Sequence, residues 1–565
     1  MRVHYTQLNQ VYAALTSPGQ PFEIETVLVR GQKLKTFKNA PPDIRSFWLS
    51  TAQFGPNEYL IYENDRITYA RAHAEVATFA AWLSSQGVRN GERVAIAMRN
   101  YPEWLLAYWA CCAIGVAAVG FNAWWVGEEL AYAIQDSAPK VIVCDQERFD
   151  RLMAQPEMAR GAKIVLVRAE TDRPGVTLWR DIIAKPAPMP EAVIDPDADA
   201  CIFYTSGTTG RPKGAQLTHR GCLNNLMSIL FAGMAQGEAL RIATNAEAVT
   251  PPTPVAIATT PLFHVTANNC LAYPVTAQGG KIVLMYKWDA GEALRLIEAE
   301  KAITLSGVPT MSREILAHPD FAKRDTSTLL QMGGGGAALQ PDLVSKIDKE
   351  ARGTRPGTGY GLTETCGIIT AVAGDFFIGR PESCGMVMPN YEAKVVDEDG
   401  QEVPAGQTGE LWVKGAQVIK GYLNRAEATA EAITDGWFHT GDVARIDADR
   451  FVYLVDRKKD MVLRGGENVY CAEVEAALYR HPAVAEAVAF GVPDERLGEE
   501  VGAAIVLREG ATLSAEELRA STGQFIAKHK LPRYVWILQD ALPRNANGKF
   551  LKRELRQTLA ISEAR

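Results

Sequence analysis

Short apolar runs rich in β-branched residues recur along the first two-thirds of the chain, at Val94 to Met98, Lys140 to Cys144, Ile164 to Val167, Cys201 to Tyr204, Val255 to Thr259, Ile282 to Met285 and Ile303 to Leu305, with helical patterns between them. Runs that are apolar on both faces are strands covered by helices on either side. Their alternation with helices predicts an α/β fold with largely parallel sheets, packed as two lobes. From Glu392 the texture changes. KVVDEDGQEVPAGQTGELWVKG alternates short strands with tight turns, and Asp399-Gly400 is a hairpin-type dipeptide, so a small β subdomain is expected there. Beyond the basic segment RKKD that follows Asp456, the chain carries its own signals: helices at Ala472 to Tyr479 and Ser514 to His529, strands at Val484 to Phe490 and Gly502 to Leu507. These describe a separate small α+β domain. Ala235 to Pro254, ending in PPTP, reads as a long surface connection.

One stretch challenges a soluble reading. Trp104 to Val126 is long enough to span a bilayer, with Asn122 its only clearly polar side chain. Pro102 and Glu103 suit a helix start, however, Gly115 suits a stop, and Val116 to Phe121 resembles a strand. No basic cluster flanks the segment, so a buried helix followed by a buried strand is the better expectation. With 565 residues, 47% of them hydrophobic, the chain supports more than one core. The formal charge of -7, with no block of Lys and Arg, excludes a nucleic-acid partner. The nine cysteines form no CxxC pair, and several sit in apolar runs, as reduced thiols of a cytoplasmic protein would. MRVHYTQLNQ has no apolar core or cleavage signal that would direct export. A homodimer and peripheral membrane contact both remain compatible with the sequence.

The densest chemistry lies at Tyr204 to Ala215, YTSGTTGRPKGA, directly after a buried strand. Glycines let backbone N–H groups converge, Thr205, Ser206, Thr208 and Thr209 add hydroxyl donors, and Lys213 adds a cation, which together make a phosphate nest. Only two residues separate Gly207 from Gly210, and glycine follows Lys213, so this is not a Walker A loop. YTSGTTGRPKG resembles the phosphate loop of the adenylate-forming enzymes: acyl-CoA synthetases, luciferases and peptide-synthetase adenylation domains. PLFH (Pro261 to His264), GGGGAAL (Gly333 to Leu339), TGYGLTET (Thr358 to Thr365), GWFHTGD (Gly436 to Asp442), DRKKD (Asp456 to Asp460), GGENVY (Gly465 to Tyr470) and PRNANGK (Pro543 to Lys549) then follow in the family's order, covering nearly the whole chain. The resemblance implies a large N-terminal domain, residues 1–457, and a small C-terminal domain, residues 458–565, that swivels about a hinge near Lys459.

It also implies roles. Thr205, Ser206, Gly207, Thr208, Thr209, Gly210 and Lys213 would hold the triphosphate of ATP. Gly359, Tyr360, Gly361 and Thr363 would line the nucleotide, Tyr360 facing adenine, and Glu364 would offer a hard oxygen ligand to Mg²⁺. Asp442 would accept from the ribose hydroxyls, and Arg457 would add donors near the nucleotide. His264 would stand where the acyl pocket meets the reacting centre, with Gly335 and Ala337 in the wall formed by Gly333 to Ala338. Lys549 would carry its ammonium to the carboxylate and α-phosphate, while Gly465 and Gly466 would line a coenzyme A channel after rotation.

The chemistry needs these parts. Carboxylate and triphosphate repel each other, so cations and donors must converge before the acid can displace pyrophosphate to give an acyl-adenylate, which a thiol then attacks. NAWW at Asn122 to Trp125 and PLFHVTANN resemble the fatty-acid ligase branch, and apolar small residues near the pocket point to medium- to long-chain acids. Aryl or steroidal acids, or a luciferase-like oxygenation of the same adenylate, are the alternatives. A peptide-synthetase loading module is disfavoured because little chain follows Lys549, and a silent binding protein is disfavoured by the complete set of motifs.

Overall fold

A computed structural model of the chain describes residues 5–169, 175–205, 211–351, 353–458, 460–464, 467–545 and 548–564. Every short apolar run named above overlaps a strand. Seven strands form a first sheet in the order Lys213–Thr218, Asp199–Thr205, Ala117–Gly120, Arg93–Ala97, Val141–Cys144, Lys163–Leu166 and Thr177–Leu178. All neighbours are parallel except the first pair. Thr205 and Lys213 are register partners in that antiparallel pair; residues 206–210 between them lie outside the described residues.

A second sheet, of fourteen strands, contains a parallel run through Arg355–Leu362, Gln331–Gly334, Thr304–Gly307, Val255–Ala258, Lys281–Leu284 and Glu58–Tyr62. The strands of the predicted β region, Tyr391–Val396, Gly409–Gly415, Trp437–Ile446 and Phe451–Arg457, do not stand apart from it. Gly385–Val387 pairs with Thr370 and Ala371 on one side and with Phe451 and Val452 on the other, so these strands extend the sheet's edge. The expected hairpin turn is present, with Gly400 at φ 75°.

Helix Pro102–Ala113 lies between the two sheets, which is why it is apolar all round. Trp104 packs near Phe203 of the first sheet, ring centroids 6.4 Å apart, and Trp109 Nε1 donates to the Tyr59 hydroxyl of the second at 2.8 Å. Pro102 opens the helix, Gly115 at φ 72° turns the chain, and strand Ala117–Gly120 follows. Among the described residues no helix is long and apolar enough to cross a membrane. All nine cysteines are free thiols, most of them buried.

Two expectations are corrected. Helix His219–Thr244 continues through most of the stretch read as a surface connection, because Ala235 and Ala239 fall on its buried face; it stops at Asn245, which takes the left-handed cap. The connection is therefore only 245–254. The second C-terminal helix begins as expected at Ser514, whose hydroxyl accepts from Glu517 N, but ends at Thr522. Gly523 caps it, and Arg519 donates to the carbonyls of Pro532 and Arg533, drawing the chain back toward strand Tyr534–Leu538. That strand, Val462–Arg464, Glu467–Val469, Val484–Asp494 and Gly498–Leu507 form a five-stranded sheet, and two buried apolar clusters drawn wholly from residues beyond Met461 cover it.

Candidate active site

At the end of strand Asp199–Thr205, edge strand Lys213–Thr218 is joined by the segment 420–423. Gln216 N donates to Gly421 O at 2.9 Å, and Leu423 N donates to Gly214 O at 2.8 Å. This brings Tyr422 over Lys213, whose Nζ lies 5.0 Å from the ring centroid. The Tyr422 hydroxyl donates to Glu364 Oε1 at 3.0 Å. Glu364 sits in the turn Thr363–Thr365, whose Thr365 hydroxyl accepts from Leu362 N, and its backbone carbonyl accepts from Ile419 N at 2.9 Å. Thr205 and Lys213, partners across one strand pair, thus converge with Glu364 and Tyr422 from three distant segments. Burial first, and the Glu364 carboxylate second, push the Tyr422 phenol above its usual range, so it remains a donor. Among the described residues no group of three or more metal-ligating side chains is present. Mg²⁺ in nucleotide sites commonly takes one or two carboxylates with phosphates and waters, so the single Glu364 fits that mode.

Strand Arg355–Leu362 supplies the second cluster. Tyr360 is buried, and its hydroxyl donates to Asp442 Oδ2 at 2.6 Å; Arg457 Nε lies 3.0 Å from Asp442 Oδ1. Burial, followed by the negative charge of Asp442, raises the Tyr360 phenol. Burial is the largest single effect on the Arg457 guanidinium and lowers it, but Asp442, Tyr360, Asp460 and Glu364 together outweigh it and the net shift is upward. Gly359 and Gly361 face the neighbouring strand: a Cβ on Gly359 would stand 3.2 Å from Ile368 Cγ2, and one on Gly361 would overlap Gly367 O. Thr363 opens the turn that carries Glu364.

The four-glycine run divides by role. Gly333 and Gly334, at φ 145° and 140°, lie on strand Gln331–Gly334, where a Cβ would overlap the carbonyls of Gly357 and Gly307. They permit close strand pairing. Gly335 abuts Gly359 O, Gly336 turns at φ 85°, and Ala337 is exposed. Facing Gly336 is Lys549, whose Cε lies 3.9 Å from where a Cβ would stand. Lys549 comes from a tight hairpin. Asn545 N donates to Lys549 O at 2.8 Å, Lys549 N donates to Asn545 Oδ1 at 3.0 Å, and Gly548 at φ 75° packs on Val308. His264 keeps some accessible surface, yet its Nε2 is enclosed with no hydrogen-bond partner among the described residues. Burial, then the Lys549 charge, lowers its pKa to about 3. A π-helical turn, Asn268–Ala272, follows it closely.

The C-terminal domain thus packs against the large domain with Lys549 beside Gly336, and Arg313 covers the Tyr479 ring at 5.3 Å across that contact. At the junction Asp456 accepts from Cys471 N, the first residue of helix Cys471–Leu478, and stands near Lys552. Burial raises the Asp456 carboxyl to about 6. Lys459, Gly465 and Gly466 lie outside the described residues, as do Ser206, Gly207, Thr208, Thr209 and Gly210. Tyr422 is the residue motif reading misses: no charge, periodicity or glycine pattern marks it. Asp456 is legible only as the first letter of DRKKD.

Comparison with known proteins agrees with this geometry. Residues 47–423 match the AMP-binding enzyme family, and residues 473–549 match the AMP-binding enzyme C-terminal domain. A feruloyl-CoA synthase of Amycolatopsis sp is 35% identical over 493 residues, covering 87% of this chain and 94% of the relative. A long-chain-fatty-acid–CoA ligase of Bacillus subtilis (strain 168) is 31% identical over 535 residues, covering 90% and 92%. The crystal structure of ATP-bound MatB from Rhodopseudomonas palustris superposes with a TM-score of 0.80 at 30% identity, covering 92% of this chain and 99% of that one. With two lobes, a small C-terminal domain and matches across both, the chain belongs to the AMP-binding enzyme family, as an adenylate-forming acyl-CoA ligase that uses ATP and coenzyme A.

Proposed function

We propose that this ligase activates apolar carboxylic acids of the medium- to long-chain fatty class, with Lys549 as the adenylation lysine, Glu364 as the Mg²⁺ residue, and a hinge at Lys459 dividing residues 1–457 from 458–565. The observation that carries the assignment is Lys549 beside Gly336 and His264, delivered from a domain with its own core. In the first step the acid's oxygen attacks the α-phosphorus and pyrophosphate leaves. Lys549 stabilises the charge gathering on the carboxylate and α-phosphate oxygens, and Lys213 and the Thr205 hydroxyl hold the departing pyrophosphate. Mg²⁺ at Glu364 would supply charge neutralisation at the phosphates. Asp442, with Tyr360 and Arg457, orients the ribose, so the α-phosphorus meets the acid in line. Rotation at Lys459 then withdraws Lys549 and brings the segment from Gly465 to Tyr470 to the acyl carbon for attack by the coenzyme A thiol.

Neutral His264, enclosed beside Phe263 at a ring separation of 4.6 Å, suits an apolar acyl group better than a charged one. A second reading, an aryl acid bearing a hydroxyl, is favoured by Asn268 Oδ1, which is buried one turn beyond His264 with no partner among the described residues. A panel of fatty, hydroxycinnamic and steroidal acids, scored by acid-dependent exchange of labelled pyrophosphate into ATP and by thioester formed, tests both. Selective turnover of fatty acids supports the first, and selective turnover of hydroxylated aryl acids replaces it with the second.

A further inference from the structure

We propose that Tyr422 is the positioning residue that holds both cationic and anionic halves of the pyrophosphate site in register, its hydroxyl orienting Glu364 and its ring face seating Lys213. The inference rests on the proposed roles of Glu364 and Lys213 and adds to them a residue that no motif assigns.

Three observations converge on it. The hydroxyl donates to Glu364 Oε1 at 3.0 Å, which occupies one carboxylate oxygen and restrains the orientation of the carboxylate. The Lys213 ammonium stands 5.0 Å from the ring centroid, within cation–π range, so a long flexible side chain is steered without losing charge to an ion pair. The ring itself cannot wander. Tyr422 is 9% exposed, its N–H donates to the Thr429 hydroxyl at 2.9 Å, and it bridges to Ala215 in the strand that carries Lys213. Glu364 is also tied by its backbone to Ile419, three residues upstream of Tyr422. One short segment, 419–422, thus fixes the carboxylate and the lysine against each other. A direct Lys213–Glu364 ion pair would neutralise both groups and leave neither for phosphate or metal. An intervening phenol keeps them close and separate, because it donates to the anion while offering only its π face to the cation.

The test compares Tyr422→Phe and Tyr422→Leu with wild type and Glu364→Gln, using calorimetric ATP binding with Mg²⁺ and with EDTA, and the Mg²⁺ concentration for half-maximal ATP–pyrophosphate exchange. The fitted number of sites separates loss of folded protein from loss of affinity. Tyr422→Phe keeps the ring and loses the charge-assisted hydrogen bond. Its MgATP Kd and half-saturating Mg²⁺ are expected to rise about ten-fold, with ATP binding in EDTA within about two-fold. Tyr422→Leu loses the ring as well, and is expected to weaken ATP binding in EDTA about five-fold more. Combining Tyr422→Phe with Glu364→Gln should add little, since the hydroxyl acts through that carboxylate. Equal losses with Mg²⁺ and EDTA in Tyr422→Phe, or no change in either, would overturn the inference while leaving the function intact. If Glu364→Gln itself leaves Mg²⁺ dependence unaltered, the metal assignment fails first, and the inference with it.

Discussion

With Lys549 as the proposed adenylation lysine, its replacement by alanine should separate the two half-reactions. The perturbation is clean because the hairpin that carries Lys549 is held by main-chain atoms and Asn545, with bonds of 2.8, 2.9 and 3.0 Å that alanine retains. The packing of Gly548 on Val308 is also retained. What disappears is one ammonium group, close enough to His264 to help keep that imidazole neutral. An ammonium about 4 Å from a phosphate oxygen, at an effective dielectric near 20, is worth about 4 kcal/mol, and at about 1.4 kcal/mol per decade that is a loss of about 10³-fold in rate. Removing a single oxyanion donor in other enzymes costs about 10²- to 10³-fold, in the same range. Rapid-quench single turnovers should therefore show acyl-adenylate formation slowed about 10²- to 10³-fold. Thioester formation from supplied acyl-adenylate should stay within about three-fold of wild type, since on the proposed mechanism Lys549 leaves before that step. Equal losses in both halves, or an adenylation loss under about ten-fold, would refute the reasoning.

Gly333→Ala should destabilise the protein by about 3–5 kcal/mol, because a side chain there overlaps the Gly357 carbonyl at a left-handed φ. Gly336→Ala should cost about 1 kcal/mol, since its nearest contact is 3.6 Å away and only the positive φ opposes it. Urea midpoints check both, and equal costs would contradict the division of the glycine run. His264, held near a pKa of 3 by burial and Lys549, should show neutral imidazole shifts by NMR from pH 5 to 8, and any titration in that window would contradict its enclosure. Asp456, raised to about 6, gives stability that is fully present below its unfolded value of 3.8 and lost as pH rises through 6. Relative to Asp456→Asn, wild type should therefore lose up to about 3 kcal/mol between pH 4 and 7 in denaturant titrations, and a difference that is flat or of opposite sign would exclude burial as the cause.

The strands and the buried central helix were legible because their apolar pattern is local: seven runs gave seven strands, and Pro102 and Gly115 marked the helix that fills the space between sheets. Helix His219–Thr244 runs into the stretch that its PPTP ending marks as a connection, because burial of Ala235 and Ala239 sustains it where the local sequence does not announce it. The β region joins the second sheet through Gly385–Val387, a three-residue strand too short to announce itself, and only its pairing on both sides makes the sheet continuous. At the candidate site, the glycine and hydroxyl cluster reads as a phosphate loop because such chemistry calls for those residue types in one local stretch. Tyr422 was illegible for the opposite reason. Its partners, Glu364 and Lys213, lie 58 and 209 positions away, and a phenol that acts through them leaves no local pattern.

Asp456 and Arg457 are consecutive on strand Phe451–Arg457, and successive strand side chains point to opposite faces. Arg457 reaches Asp442 and, through it, Tyr360; Asp456 reaches Cys471 N at the start of a C-terminal helix and lies near Lys552. The Tyr360–Asp442–Arg457 cluster and the C-terminal domain thus meet on a two-residue step directly before 458–460. On the proposed hinge, a rotation beginning at Lys459 would leave Arg457 on Asp442 but carry Cys471 and Lys552 away from Asp456. That motion sacrifices a hydrogen bond and an attraction, yet returns to water a carboxylate that burial disfavours. The two effects oppose each other, so the contact registers the closed domain without locking it. A stronger ion pair at this step would hold Lys549 in the site after the adenylate had formed, and the thiol would be kept out by the residue that prepared its target.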